Sequence, residues 1–114
     1  METSSNTGPG RATYSAKELV ARPPVRWAYP GKSYFDHGVI AAAGSDVSVT
    51  PMSPWWGLWA AVERKELVSG QVLAPEERLT VMQALELFTR NPAYIAFEEK
   101  DKGSLETGKL ATSL

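Results

Sequence analysis

Cysteine is absent from this 114-residue chain, and histidine occurs once. The absence of cysteine excludes disulfides, thiolate metal sites and cysteine nucleophiles within the chain, and it fits a reducing compartment. The sequence also lacks an apolar run near the roughly 20 residues that a membrane span requires. Its polar first ten residues contain no apolar signal-peptide core. We therefore predict a cytoplasmic protein that does not enter membranes.

An excess of positive charge is also lacking. Twelve Lys and Arg residues stand against thirteen Asp and Glu residues, which leaves a net charge of −1. Because nucleic-acid binders neutralise phosphates with clustered Lys and Arg, we do not expect this class of function. Hydrophobic residues make up 43% and charged residues 22% of the chain, as in ordinary globular proteins. The length suits one small domain or a piece of a larger one.

A short apolar run over residues 39–43 is the clearest strand pattern. Its sequence VIAAA has no polar alternation, which is typical of a strand buried on both faces in a parallel sheet. A helical turn over residues 33–38, ended by Gly38 in the left-handed conformation, is predicted before it, and Gly44 and Ser45 end the strand. Because a single buried strand cannot pair its own backbone groups, its neighbours are expected to lie outside this chain.

The first of three predicted helices follows a polar loop. Ser53 is expected to be its N-cap and Pro54 its first residue, and Gly70 is expected to close it. Its apolar face is predicted to contain four residues at helical spacing: Trp55, Leu58, Trp59 and Val62.

Two further helices are predicted from their starting residues. Thr80 and Gln83 form a capping-box pattern at the start of one helix. Asn91 and Pro92 repeat the combination of cap and proline before a short helix over residues 93–97. The apolar stripe of the capping-box helix is expected to contain Val81, Leu85 and Phe88.

Asp46 is the candidate catalytic and metal-binding residue. Catalytic groups gather at the carboxyl ends of parallel strands, where Asp46 is predicted to stand. A carboxylate there can bind a divalent metal and accept a proton from metal-bound water. Asp46 can equally serve as a cap of the following loop, as aspartates often do, and the spacing leaves both interpretations open. His37, at the opposite end of the predicted strand, is interpreted as a surface or helix-end residue.

Three tryptophans, Trp55, Trp56 and Trp59, lie within five residues. We expect Trp55 and Trp59 to form the buried face of a helix that covers a larger fold, with Trp56 partly exposed. The alternative is that they line a substrate pocket or a partner groove. Without a larger fold around it, this face would be an exposed apolar patch and a candidate for self-association.

The order of these features resembles the amidohydrolase superfamily. The stretch SYFDHGVIAAAGSD over residues 33–46 resembles its final barrel strand. The more specific resemblance is to amidohydrolase family 3, the long enzymes related to N-substituted formamide deformylase and the YtcJ-like proteins. It covers roughly residues 26–111 and continues through the following parts of the chain: Pro51 and residues 54–64, 73–78, 84–91 and 103–111.

The resemblance implies an α/β fold. Residues 26–102 would be the last β/α part of a metal-dependent (β/α)8 TIM barrel, and residues 103–114 the truncated start of a C-terminal β-sandwich segment. Residues 1–25 are expected to be a poorly ordered tail. The implied reaction is hydrolysis of a non-peptide carbon–nitrogen bond in a small amide-type substrate by metal-activated water. The implied cofactor is a divalent metal, with zinc expected, and Asp46 would bind it and move the proton.

The resemblance also has gaps. The paired histidines of the family's first strand, its bridging lysine and the histidines of its fifth and sixth strands have no counterpart here. We therefore expect a C-terminal fragment that binds no metal and is inactive by itself. The alternative from a different class is a free-standing interaction module that uses its tryptophan-rich helix.

Overall fold

The computed structural model describes residues 27–110; the predicted tail over residues 1–25 lies outside this range. The described elements are helices joined by loops. In chain order they are α1 (Gly31–Asp36), α2 (Pro54–Glu63), a 3₁₀ helix (Pro75–Glu77), α3 (Val81–Phe88) and α4 (Arg90–Ile95). Helix α3 packs against both α2 and α4, and α1 packs against the 3₁₀ helix. No helix in this part of the chain is long and apolar enough to cross a membrane.

The predicted strand over residues 39–43 is not formed in this structure, where the segment is a loop. Val39 and Ile40 are about half exposed, at 50% and 48%. A strand requires a neighbouring strand to pair its backbone groups. Among the described residues, β-bridges occur only as two isolated pairs, Val47 with Thr50 and Lys65 with Val72, so residues 39–43 have no such neighbour there.

Helix α1 confirms a helical turn before this segment, although it begins at Gly31, two residues earlier than predicted. Gly38 follows it with φ +69°, as expected for a left-handed residue.

Helix α2 begins where the sequence predicts and ends earlier. Pro54 is its first residue, and Ser53 precedes it in an extended conformation without a side-chain cap. The helix ends at Glu63 and is followed by Arg64, a C-cap in the left-handed conformation, so the predicted closure by Gly70 is wrong. The chain reverses after Arg64 because the Glu66 carboxylate accepts the Val68 N–H at 2.9 Å. Gly70 then closes this turn, its N–H donating to the Glu66 carbonyl at 2.9 Å.

The capping box that opens α3 is confirmed. Thr80 Oγ1 accepts the Gln83 N–H, and the Gln83 side chain accepts the Thr80 N–H. The next helix, α4, begins at Arg90 and ends at Ile95, so the predicted boundaries at residues 93–97 are shifted. Pro92 still falls in the first turn, where a missing N–H costs no helical hydrogen bond.

The tryptophans differ in exposure. Trp55 is 70% exposed and Trp56 50% exposed, whereas Trp59 is half-buried and meets Trp56 edge to face at 6.4 Å between ring centroids. Partial exposure of Trp56 was predicted, and the burial of Trp55 against a larger fold stays a prediction. Helix α2 approaches α3 through Gly57, where a Cβ would lie 2.4 Å from Phe88 Cζ. Trp55 is two residues from Gly57 and therefore on the opposite side of the helix.

The apolar stripe of α3 is confirmed in part. Leu85 and Phe88 are half-buried, but Val81 is 62% exposed. Burial is deepest at the neighbouring Ala84, at Ala93 of α4 and at Leu79, which form the small apolar core of the described residues.

The C-terminal segment over residues 103–110 folds back as a series of turns. The Leu110 N–H donates to the Asp101 carbonyl at 2.7 Å, and Lys109 Nζ donates to Ser104 Oγ at 2.6 Å. Gly103 lies against α4, where a Cβ would be 2.6 Å from Ala93 Cβ and 3.2 Å from the Thr89 carbonyl oxygen.

Replacing Gly103 by alanine is expected to lower the free energy of unfolding by about 3 kcal/mol. Its φ of +94° strains any L-residue, and overpacking against α4 adds to this, each effect costing about 1–3 kcal/mol. Urea denaturation followed by circular dichroism measures the loss. Gly108→Ala is the matched control, because Gly108 has the same φ of +94° but nothing within 4 Å. Equal losses in the two variants would refute the packing argument.

Two surface carboxylates are expected to make the protein less stable in acid. Hydrogen bonds from Ser69 and Val68 lower the pKa of Glu66 below its ordinary 4.5, and Lys109 lowers the pKa of Glu106 by a hydrogen bond and by its charge. A carboxylate whose pKa is lower in the folded state than in the unfolded state stabilises the fold at pH values above its unfolded-state pKa. This contribution is lost as the pH falls through the folded-state pKa. Both groups are exposed, so each effect is small.

The measurement is urea denaturation at about pH 6 and about pH 3, on either side of the titration. The Glu66→Gln variant should lose less stability on acidification than the unmodified chain. Identical losses would show that Glu66 makes no contribution of this kind.

Candidate functional site

Among residues 27–110, Glu77 is the charged residue that is buried, with 1% of its surface exposed. Its carboxylate accepts the Ser33 N–H at 2.8 Å and the Ser33 hydroxyl at 2.5 Å. Ser33 lies in the first turn of α1, where N–H groups have no acceptor within the helix. Glu77 therefore caps α1 from a segment 44 residues away in the chain.

Arg64 continues this polar cluster from the end of α2. Its guanidinium donates to the carbonyl oxygens of Ala28 at 2.8 Å, Tyr29 at 2.9 Å and Leu73 at 3.0 Å. Burial lowers the pKa of Arg64, and the negative charges of Glu77 and Glu76 act against that effect. Through these three hydrogen bonds, Arg64 joins the end of α2 to residues 28–29 and to Leu73, which is a role in the fold.

Asp46 lies in an exposed turn with φ +46°, a left-handed conformation that aspartate tolerates better than most residues. Its backbone carbonyl accepts the Val49 N–H at 2.8 Å and the Thr50 N–H at 3.4 Å, and the Thr50 hydroxyl donates to the Ser45 carbonyl. These hydrogen bonds close the turn through the Asp46 main chain. Its carboxylate stays at the surface, where it can meet a ligand, and its role remains a prediction.

Two contacts hold the segment just before this turn. The Ala43 N–H donates to the Leu87 carbonyl at 3.0 Å, and Asn91 Nδ2 donates to the Ala41 carbonyl at 2.8 Å. The sequence pattern suggested Asn91 as a helix cap, and it makes no such cap. Its actual partner lies 50 residues away, so no local pattern indicates the contact.

The prediction of His37 as a surface or helix-end residue is confirmed. His37 is exposed at the C-cap of α1, with Nδ1 2.8 Å from the Ser33 carbonyl oxygen. Among residues 27–110, no three His, Cys, Asp or Glu side chains are grouped so that they could hold a metal ion. A catalytic zinc site takes three protein ligands, of which Asp46 would be one. The described residues therefore do not fit a complete metal site.

An open groove of about 740 Å³ lies between α3, α4 and the C-terminal turns. Asp46 is not among the residues that line it. Its walls are mainly apolar and include Leu85, Phe88, Pro92, Ala93, Leu105 and Leu110.

Comparison with known proteins places these features in a family. The model of the amidohydrolase family matches residues 6–112. The chain is 37% identical over 86 residues to N-substituted formamide deformylase of Arthrobacter pascens, and 31% identical over 86 residues to the putative amidohydrolase YtcJ of Bacillus subtilis. These matches cover 75% and 74% of this chain but only 16% of each relative, so the chain spans about a sixth of their length.

A solved structure agrees with the sequence comparisons. An uncharacterized metal-dependent hydrolase from Pyrococcus furiosus superposes with a TM-score of 0.63 at 30% identity, covering 79% of this chain and 18% of that one. The match to the family model spans nearly all of the sequence, including Asp46 and the two contacts that hold its segment. This chain belongs to the amidohydrolase family.

Proposed function

We propose that this segment serves an amidohydrolase that cleaves a non-peptide carbon–nitrogen bond in a small amide-type substrate. The observation that carries the proposal is the 37% identity over 86 residues to a protein named for the deformylation of N-substituted formamides. The family match over residues 6–112 supports it. The solved Pyrococcus relative is a metal-dependent hydrolase, which supports a divalent metal in the reaction, and zinc is the metal we propose.

Asp46 is the residue that we propose for the active site. It is exposed in a turn whose hydrogen bonds use its carbonyl oxygen, so its carboxylate can serve as one metal ligand. Because the described residues do not form a complete ligand set, the remaining ligands in this proposal come from outside residues 27–110.

The proposed architecture has residues 26–102 as the last β/α part of a TIM barrel and residues 103–114 as the start of a β-sandwich segment. The structural match to the Pyrococcus hydrolase supports it. In that setting the exposed apolar side chains near Asp46, namely Val39, Ile40, Val47, Val49 and Met52, would be covered. A free-standing interaction module and self-association through Trp55, Trp56 and Trp59 gain no support from the comparisons, since both curated relatives described above carry names of hydrolytic enzymes.

A chimera tests the proposal. The 86-residue segment of the Arthrobacter deformylase that aligns with this chain would be replaced by the matching residues of this chain. We expect the chimera to hydrolyse an N-substituted formamide, and the 114-residue chain alone, supplied with zinc, to show no turnover above a zinc-only control. A folded chimera without activity would contradict the proposal, and so would enzyme-like turnover by the chain alone.

A further inference from the structure

The loop before Asp46 follows α1, where the Val39 N–H donates to the Tyr34 carbonyl at 2.8 Å, and two further hydrogen bonds attach it to α3 and α4. The Ala41 carbonyl accepts a hydrogen bond from Asn91 Nδ2 at 2.8 Å, and the Ala43 N–H donates to the Leu87 carbonyl at 3.0 Å. The junction of α3 and α4 thus supplies one acceptor and one donor to this segment.

The Asp46 turn is fixed from its other side as well. The Thr50 hydroxyl donates to the Ser45 carbonyl, and the Val49 N–H donates to the Asp46 carbonyl. Gly44 lies between the two attached stretches, and a Cβ there would meet nothing within 4 Å. The attachments at Ala41 and Ala43 connect this turn to α3 and α4.

The side chain of Asn91 is committed to this contact. Asn91 is the second residue of α4, and α4 has no side-chain cap. The hydrogen bond to Ala41 is part-buried and joins residues 50 positions apart. The two attachments differ in what they require. The hydrogen bond to Leu87 uses a main-chain carbonyl that any residue would provide, whereas the hydrogen bond to Ala41 needs an amide side chain of this length.

We propose that Asn91 is a positioning residue for Asp46: its carboxamide holds the Ala41 carbonyl and thereby sets where the Asp46 turn emerges from the helices. The importance of that position for catalysis rests on the proposed function. The positioning itself is a property of this chain and can be measured without activity.

The test uses amide hydrogen exchange and ¹H–¹⁵N NMR spectra of the 114-residue chain. In the unmodified chain, the Asn91 carboxamide protons should exchange more slowly than those of an exposed asparagine. Asn91→Asp keeps the shape but removes the donor. It should speed exchange of the Ala43 N–H by about tenfold, as loss of a typical hydrogen bond predicts. It should also shift the resonances of residues 41–46.

Thr89→Val is the matched control. It removes the 2.7 Å hydrogen bond from Thr89 Oγ1 to the Leu85 carbonyl at the same helix junction, and this bond does not involve the Asp46 segment. It should therefore leave the resonances of residues 41–46 in place even if it lowers the melting temperature equally. The proposal is overturned if Thr89→Val disturbs residues 41–46 as much as Asn91→Asp, or if neither disturbs them. The proposal is also overturned if the Asn91 carboxamide protons of the unmodified chain exchange as fast as those of an exposed asparagine. This measurement needs no variant, so it decides the matter even if Asn91→Asp does not fold.

These outcomes are independent of catalysis. Loss of the proposed function, shown by an inactive folded chimera, would leave the NMR result standing. Failure of the NMR test in an active chimera would remove the role of Asn91 alone.

Discussion

The chimera with Asp46→Asn is expected to lose at least about 100-fold in kcat. Asparagine keeps the shape of the side chain but removes the negative charge, so it is a poor metal ligand and a poor proton acceptor at neutral pH. Loss of a group that only supports a metal ligand already costs about 10–100-fold, and a residue in direct contact should cost no less. Steady-state kinetics on an N-substituted formamide measures the effect, and the metal content of the purified chimera shows whether the metal is retained.

Asp36→Asn is the control for this substitution. Asp36 is also an exposed aspartate, at the end of α1, where it pairs with Lys32 on the surface of the same helix. Exposed pairs of this kind contribute about 0–1 kcal/mol, so we expect unchanged kinetics. Retained activity after Asp46→Asn would remove Asp46 from the proposed site, and equal losses in both variants would point to a general effect of removing charge.

Replacing Glu77 by leucine is expected to lower the free energy of unfolding by about 3 kcal/mol. The variant leaves the Ser33 N–H without its carboxylate acceptor. It also removes a negative charge that acts electrostatically on the Arg64 guanidinium. A hydrogen bond to a charged group contributes about 1.5–3 kcal/mol, and the substitution removes the acceptor of both the Ser33 N–H and the Ser33 hydroxyl. Urea denaturation followed by tryptophan fluorescence would measure the loss.

Glu76→Leu is the matched control for Glu77. Glu76 is the preceding residue of the same 3₁₀ helix and also acts on Arg64 by its charge, but it is exposed. Surface substitutions usually change stability by less than about 0.5 kcal/mol, so the two variants should differ severalfold. Similar losses would show that burial of the Glu77 carboxylate contributes nothing special to the fold.

Local patterns predicted the starts of α2 and α3, whereas α1 and α4 begin two and three residues earlier than predicted. Pro54 opens α2, and Thr80 with Gln83 opens α3, because caps and first-turn prolines act within a few residues of each other. Helix ends and faces were predicted less well. Helix α2 ends at Glu63, before the left-handed Arg64 and a turn in which the Glu66 carboxylate accepts the Val68 N–H, and α3 approaches α2 through Gly57.

The candidate site divides in the same way. The pattern of residues 33–46 pointed to the amidohydrolase family and to Asp46, and the comparisons confirm the family. The contacts around the site were missed. Asn91 and Ala41 are 50 residues apart, and Ser33 and Glu77 are 44 residues apart. A buried glutamate and an arginine that binds three carbonyls look like ordinary surface charges in a sequence.

By itself, then, the sequence determined the family, the starts of α2 and α3 and the candidate carboxylate, since each depends on residue types at short, definite spacings. Only the tertiary structure decided which side of each helix is covered, that Glu77 and Arg64 join distant segments, and that Asn91 holds the loop before Asp46. The physical reason is that burial and long-range hydrogen bonds depend on which segments meet in space. For residues 39–43 this extends to secondary structure itself, because an apolar run becomes a strand only where another strand lies beside it.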